Sequence, residues 1–259
     1  MKESTYTFPN IIQSLALLLI WFFVLHPISK LPFSFIENES LVSLLSEVLK
    51  LFVLLVFARV LVKYEYLGQS LFKVRKLNVN IVFLICLGVL CIKSLPSPFL
   101  SFFDEHDVYK MLIEPMASEV NVYYFVFSCI IVPISEEILF RGIVLNGLIR
   151  RYSFIVALLL SSILFGLLHV SIVGAFLFSC FVGWIYYRSN NLLYCIVAHA
   201  IGNTISFFFK YGFVKQYISM EAFSGFIDKH AVIIGISSVS VLVVCLYAMA
   251  MLFKKRGCI

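Results

Sequence analysis

Charge is what this sequence has least of. Only 13% of its 259 residues are Asp, Glu, Lys or Arg, against about 25% in a soluble domain. A chain this poor in charge cannot cover a water-facing surface, which excludes the soluble classes. Acid is scarcer than base, 14 residues against 20, for a net charge of +6. In a chain that is 62% hydrophobic, that surplus reads as the bias that orients membrane proteins, and no nucleic-acid partner is expected. There is no Cys-x-x-Cys. The seven cysteines are odd in number and lie mostly in apolar runs, so they read as small buried hydrophobes, not as disulfides or metal ligands. Cys258 stands second from the end, whereas a prenylation box needs cysteine fourth from the end. No internal repeat or low-complexity linker is visible.

What is present is a series of long apolar runs. A spanning helix needs about 20 apolar residues. Candidate spans cover about 10–28, 41–62, 79–95, 121–145, 153–171, 172–188, 191–210 and 231–253. The runs are continuous, unlike the roughly 10-residue alternation of a barrel strand. The fold class is therefore all-α: a polytopic membrane helical bundle of about eight transmembrane helices, one integral membrane domain over 1–259. The first run is followed by Pro27, Lys30 and Pro32, not by a small-residue cleavage site, and is expected to be a retained span. Lys63, Lys73, Arg75 and Lys76 separate spans two and three. Arg150 and Arg151 follow span four, Arg188 follows span six, and Lys254, Lys255 and Arg256 follow span eight. The opposite loops carry Glu37 and Glu39, then Asp104, Glu105, Asp107, Glu114 and Glu119. This alternation predicts both termini in the cytoplasm. The stretch 96–120 is the longest between spans and is expected at the outer surface.

Against this background a few polar residues stand out. The fourth run contains Pro133-Ile-Ser-Glu136-Glu137-Ile-Leu-Phe-Arg141. A charged side chain costs about 2.5–3.5 kcal/mol at the bilayer centre on insertion scales, so three within six residues need a reason. Glu137 and Arg141 are i,i+4 neighbours and can pair. Glu136, about 100° round the helix, has no local partner and is a candidate general base. Pro133 is expected to free the carbonyl of Cys129 and kink the helix beside the glutamates. The fifth run holds Phe165-Gly-Leu-Leu-His169, and the seventh His199-Ala-Ile-Gly-Asn203. Phe165 and His169 share a helical face, as do His199 and Asn203. Carboxamide and imidazole donors can stabilise a developing oxyanion, or can simply clamp helices together. Gly166 and Gly202 would then mark close helix contacts. Two histidines and a carboxylate, here Glu136, His169 and His199, are also a donor set for Zn²⁺. No His-Glu-x-x-His helix is present, however, and asparagine is an unusual zinc ligand, so no metal or other cofactor is favoured.

Level matters if these residues are to meet. Glu136 and His169 each lie about 21–24 Å from the Arg150–Arg151 turn, whereas His199 is about 12 Å from the start of its run near Asn191. They converge only if the hairpin of spans four and five projects about 10 Å past the membrane. The 30 residues from Asn121 to Arg150 would run about 45 Å as helix, against a core of about 30 Å, which supplies that excess.

In order, Glu-Glu-x-x-x-Arg, Phe-x-x-x-His and His-x-x-x-Asn over 120–205 resemble the motifs of the CPBP family of intramembrane endopeptidases. These are CaaX-processing proteases and bacterial relatives linked to bacteriocin maturation and self-immunity. The resemblance implies an eight-helix membrane fold with its catalytic core in 120–205. It implies that Glu136 activates water together with His169, that Glu137 and Arg141 are positioning residues, and that His199 and Asn203 hold the oxyanion. The partners implied are the lipid bilayer and a peptide or protein substrate at the membrane: a prenylated C-terminus, a bacteriocin-type peptide leader or another membrane protein. The location implied is a bacterial cell membrane. Two other classes compete. A proton-coupled transporter would also place ionisable residues in the membrane, but no repeated halves with paired broken helices are visible. A non-catalytic immunity or scaffold protein would keep the fold without the reaction.

Overall fold

The computed structural model describes residues 8–64, 66, 76–95 and 120–255, apart from the side chains of Met220, Ser224 and Asp228. Among these, all eight expected segments are helical and no strand occurs. We number the helical rods α1 (Ile11–Phe33), α2 (Glu39–Lys63), α3 (Val79–Ser94), α4 (Val122–Ile149), α5 (Phe154–Leu167), α6 (Ile172–Ser189), α7 (Leu192–Val214) and α8 (Met220–Lys255). Six are long and apolar enough to cross a membrane, α8 through its part Lys229–Lys255. The other two, α3 and α5, are shorter apolar helices. At 1.5 Å per residue α5 reaches only about 21 Å. The fifth span was expected to run to residue 171, but its helix ends at Leu167. The expected outer stretch 96–120 lies almost wholly outside the described residues. So do Lys73, Arg75, Asp104, Glu105, Asp107, Glu114, Glu119, Arg256 and Cys258.

Asparagine starts most of these helices. Asn10, Asn38, Asn78, Asn121 and Asn191 each accept a hydrogen bond from an otherwise orphaned amide in the first turn of α1, α2, α3, α4 and α7. Asn190, with φ of 44°, closes α6 in the left-handed conformation that asparagine tolerates. Two residues thus end one helix and cap the next.

The rods bundle around α4, which packs against α2, α5, α6 and α7. Its segment Ile138–Leu145 is buried on every side and, Arg141 apart, carries no polar side chain. Ile81, Ile85 and Val89 of α3, Val182 and Ile185 of α6, and Ala198 of α7 join it in one core. Large apolar side chains instead point outward from α2 and α8, among them Phe52, Val232, Ile233, Ile236, Val243 and Tyr247. That surface suits lipid. Three contacts fix one end of the bundle. Arg150 Nη1 donates to Tyr66 O at 2.9 Å, the Asn78 amide donates to Tyr194 Oη at 2.9 Å, and Pro9 packs on Gly147, where any β-carbon would collide with proline backbone. At the other end Asn121 Nδ2 donates to Ser40 Oγ.

Candidate active site

α4 is not a regular helix. Phe127–Ile131 and Ile138–Leu145 are π-helical, and the six residues between them, Val132–Glu137, are α-helical. Both glutamates sit in that insert. The first π segment has a local cause. The Val132 amide donates to Phe127 O, five residues back. In the same register the next donor would be residue 133, which is proline and has none. The carbonyl that this register leaves facing Pro133 is that of Ser128. It is satisfied from another helix: Asn203 Nδ2 of α7 donates to Ser128 O at 2.7 Å. Such π-bulges are frequent at functional sites.

Glu137 is the centre of a buried network. Its Oε1 accepts from Arg141 Nη1 at 2.9 Å and from His199 Nδ1 at 2.8 Å. Arg141 Nη2 reaches Ser179 O and Oγ of α6, both at 3.2 Å, and the guanidinium carbon lies 4.9 Å from the Phe165 ring centroid. Glu137 and Arg141 are 0% and 1% exposed. The pair was legible as i,i+4. The link from Glu137 to His199 was not, because it joins residues 62 apart in the chain. Nor was Ser179, although a small polar residue in an apolar helix is a signal.

His169 lies beyond the end of α5, in the turn before α6, so it does not share a helical face with Phe165 as expected. The turn still brings the pair together. The imidazole stacks on Phe165 at 4.3 Å, and its Nδ1 lies 2.7 Å from Phe165 O. A carbonyl can only accept, so Nδ1 carries the hydrogen and Nε2 of the neutral ring presents a lone pair. His199 has the same polarity, with its Nδ1 turned to the Glu137 carboxylate. Both Nε2 atoms face one oxygen: Glu136 Oε2 stands 3.7 Å from His169 and 3.8 Å from His199, and it makes no hydrogen bond within the protein. The structure therefore brings Glu136, Glu137, Arg141, His169, His199 and Asn203 to one place. Asn203 arrives with one amide hydrogen committed to Ser128. Gly166 does mark a close contact, whereas at Gly202 the contact is an ordinary van der Waals one. A β-carbon at Gly166 would lie 3.0 Å from Ile172 O, and one at Gly202 within 3.6 Å of Lys93, Phe178 and Val89. Access is one-sided, with side-chain exposure of 32% at His169, 13% at Glu136 and 5% at His199.

Donors that share one tetrahedral zinc at about 2.0–2.1 Å stand roughly 3.3 Å apart. The separations from Glu136 to the two histidines are wider, and no group of three His, Cys, Asp or Glu among the described residues is disposed to hold an ion.

Residues 118–205 match the family described as type II CAAX prenyl endopeptidase Rce1-like. The core of this chain is thus similar to that family, over about a third of its length. The putative membrane peptidase YdiL of Bacillus subtilis (strain 168) is 29% identical over 100 residues, which cover 38% of this chain and 41% of that protein. The UPF0177 protein YxdF of Lactococcus lactis subsp. lactis (strain IL1403) is 33% identical over 78 residues, 29% of this chain and 42% of that protein. Similarity thus spans about two fifths of each relative. No solved structure matches the chain. The matched segment holds α4 to the middle of α7, and so every residue of the site.

Proposed function

We propose that this chain is an integral membrane endopeptidase that hydrolyses a peptide bond with water activated by Glu136 and His169. The observation that carries the reading is the convergence of one unbonded carboxylate oxygen and two imidazole nitrogens inside an apolar bundle. A water molecule there can donate one hydrogen to Glu136 Oε2 and the other to His169 Nε2, leaving its lone pair for the scissile carbonyl carbon. As the C–O bond forms, Glu136 takes a proton and the carbonyl oxygen becomes an oxyanion. Collapse of the tetrahedral species breaks the C–N bond, and that proton passes to the leaving amine. His199 can serve the oxyanion only with a hydrogen on Nε2 as well, because Nδ1 is bound to Glu137. Glu137 is then the positioning residue for both His199 and Arg141. The mechanism routes no step through a metal.

The test uses the purified full chain in detergent or liposomes with a peptide library read by mass spectrometry. Cleavage lost in Glu136→Gln supports the reading. Cleavage that survives Glu136→Gln, or proton-coupled flux in sealed liposomes with no cleavage by the wild type, overturns it. The physiological precursor should then emerge as the one species that accumulates in membranes carrying Glu136→Ala.

A further inference from the structure

Among the described residues, the end of the bundle that holds the Arg150 turn carries cations and no acid. Arg188 stands there one residue before the end of α6, and the exposed Lys254 and Lys255 close α8. The described carboxylates lie elsewhere: Glu37, Glu39 and Glu221 at the opposite end, Glu47, Glu136 and Glu137 within the bundle. One ring brings the ends of α6 and α8 together. Phe253, 1% exposed, packs edge-on against Trp184 of α6, 6.2 Å between centroids, and against Tyr194 of α7, at 6.1 Å. Arg188 follows Trp184 by one turn, and its guanidinium carbon lies 6.0 Å from the Trp184 ring centroid. Its Nε is buried and finds no acceptor within the protein. A buried donor left unmade is costly. A guanidinium is a fork of five N–H donors, and it matches the oxygens of a phosphate with two parallel bonds. Basic pockets between helices at the edge of the bilayer take lipid headgroups, and tryptophan favours the same level. Trp184 is only half-buried, so an acyl chain can lie against it. A soluble phosphate has no use for that apolar wall.

We propose that the ends of α6 and α8 form a seat for an anionic phospholipid. Its headgroup phosphate accepts from Arg188, Lys254 and Lys255 add positive charge from the neighbouring helix, and its acyl chain lies against Trp184. The seat stands apart from the glutamates and histidines of α4, α6 and α7, and it does not depend on the endopeptidase reading.

The probe is phosphatidylglycerol brominated on its acyl chains, which quenches tryptophan on contact. The full chain has two tryptophans, Trp21 and Trp184, so Trp21→Phe leaves Trp184 as the one reporter. This protein is reconstituted in phosphatidylcholine vesicles that hold a fixed minor fraction of phosphatidylglycerol. In one set the glycerol lipid is brominated, and in the other an equal amount of the choline lipid. Quenching should show an apparent affinity about fivefold higher for the glycerol lipid, the scale of one basic residue against an anionic surface. The preference should persist in about 1 M NaCl, where exposed charges are screened beyond about 3 Å. Arg188→Gln should remove it. Arg188→Lys keeps the charge and loses the fork, and should show the preference only at low salt. Equal quenching by the two lipids, a preference that salt abolishes with Arg188 in place, or one that survives Arg188→Gln overturns the proposal. Recovery of Trp184 fluorescence on adding inorganic phosphate would assign the seat to a soluble anion and overturn the lipid as its occupant.

Discussion

Two adjacent carboxylates in α4 keep very different company. Glu137 is saturated on one oxygen by Arg141 and His199, whereas Glu136 Oε2 faces two lone pairs. Their conservative variants should therefore diverge. Glu136→Gln keeps shape and hydrogen bonding and removes the base, so turnover should fall at least about 10²-fold with thermal stability unchanged. Glu137→Gln leaves a buried guanidinium without its counter-charge, and should destabilise the fold by about 3–5 kcal/mol, read as a lower unfolding midpoint in detergent. A folded, inactive Glu137→Gln beside an active Glu136→Gln would reverse the two roles. The wide spacing of Glu136, His169 and His199 carries a further expectation. Enzyme dialysed against chelator should keep its activity and gain none from added Zn²⁺. One tightly bound zinc per chain, with activity that tracks it, would replace the water-and-glutamate mechanism by a metal-bound one.

At the scale of the element, the first π segment of α4 and Asn203 act as one device. Pro133 has no hydrogen to offer Ser128 O, and the carboxamide of α7 supplies one. Pro133→Ala would return a backbone donor and let α4 relax towards regular helix. Asn203→Ala should then cost less stability in the Pro133→Ala background than in the wild type, a coupling that a double-mutant cycle measures directly. If the two substitutions add independently, the carbonyl is satisfied elsewhere. If Asn203 also serves the oxyanion, Asn203→Ala alone should lower turnover by about 10²–10³-fold with substrate binding retained. This device also shows where reading the sequence stops. Apolar runs gave the eight helices to within a few residues at most ends, since burial in lipid is a matter of composition. The Glu137–Arg141 pair was legible because helical spacing is local. The bond from Asn203 to Ser128 O was not, because a π turn moves the register by one residue and leaves no mark in composition. The end of α5 at Leu167 was missed because residues 168–171, Leu-His-Val-Ser, hold no proline or glycine to mark a turn.

For the molecule as a whole, the strongest expectation is its orientation. The bonds from Arg150 to Tyr66 and from Asn78 to Tyr194 put the loops after α2 and α4 and the start of α7 at one end, and these loops carry Lys63, Lys76, Arg150 and Arg151. Glu37 lies in the turn between α1 and α2, at the opposite end. A cysteine placed at Glu37 should react with an impermeant reagent added outside cells, and one at Arg150 should not. The reverse pattern would turn the protein over and put the open side of the site in the other leaflet.

The packing of Pro9 on Gly147 has a consequence in time. The residue that docks, Pro9, is made 138 residues before its seat, Gly147. At about 5–20 residues per second, the ribosome needs roughly 7–28 s to supply that seat. Until then Phe8 and Pro9 can lean on α2 and on Tyr66, through the ring contacts of Phe8 with Phe57 and Tyr66. Closure of this end of the bundle is thus a late step of biogenesis, and a nascent chain arrested before α4 emerges would hold Pro9 without its seat.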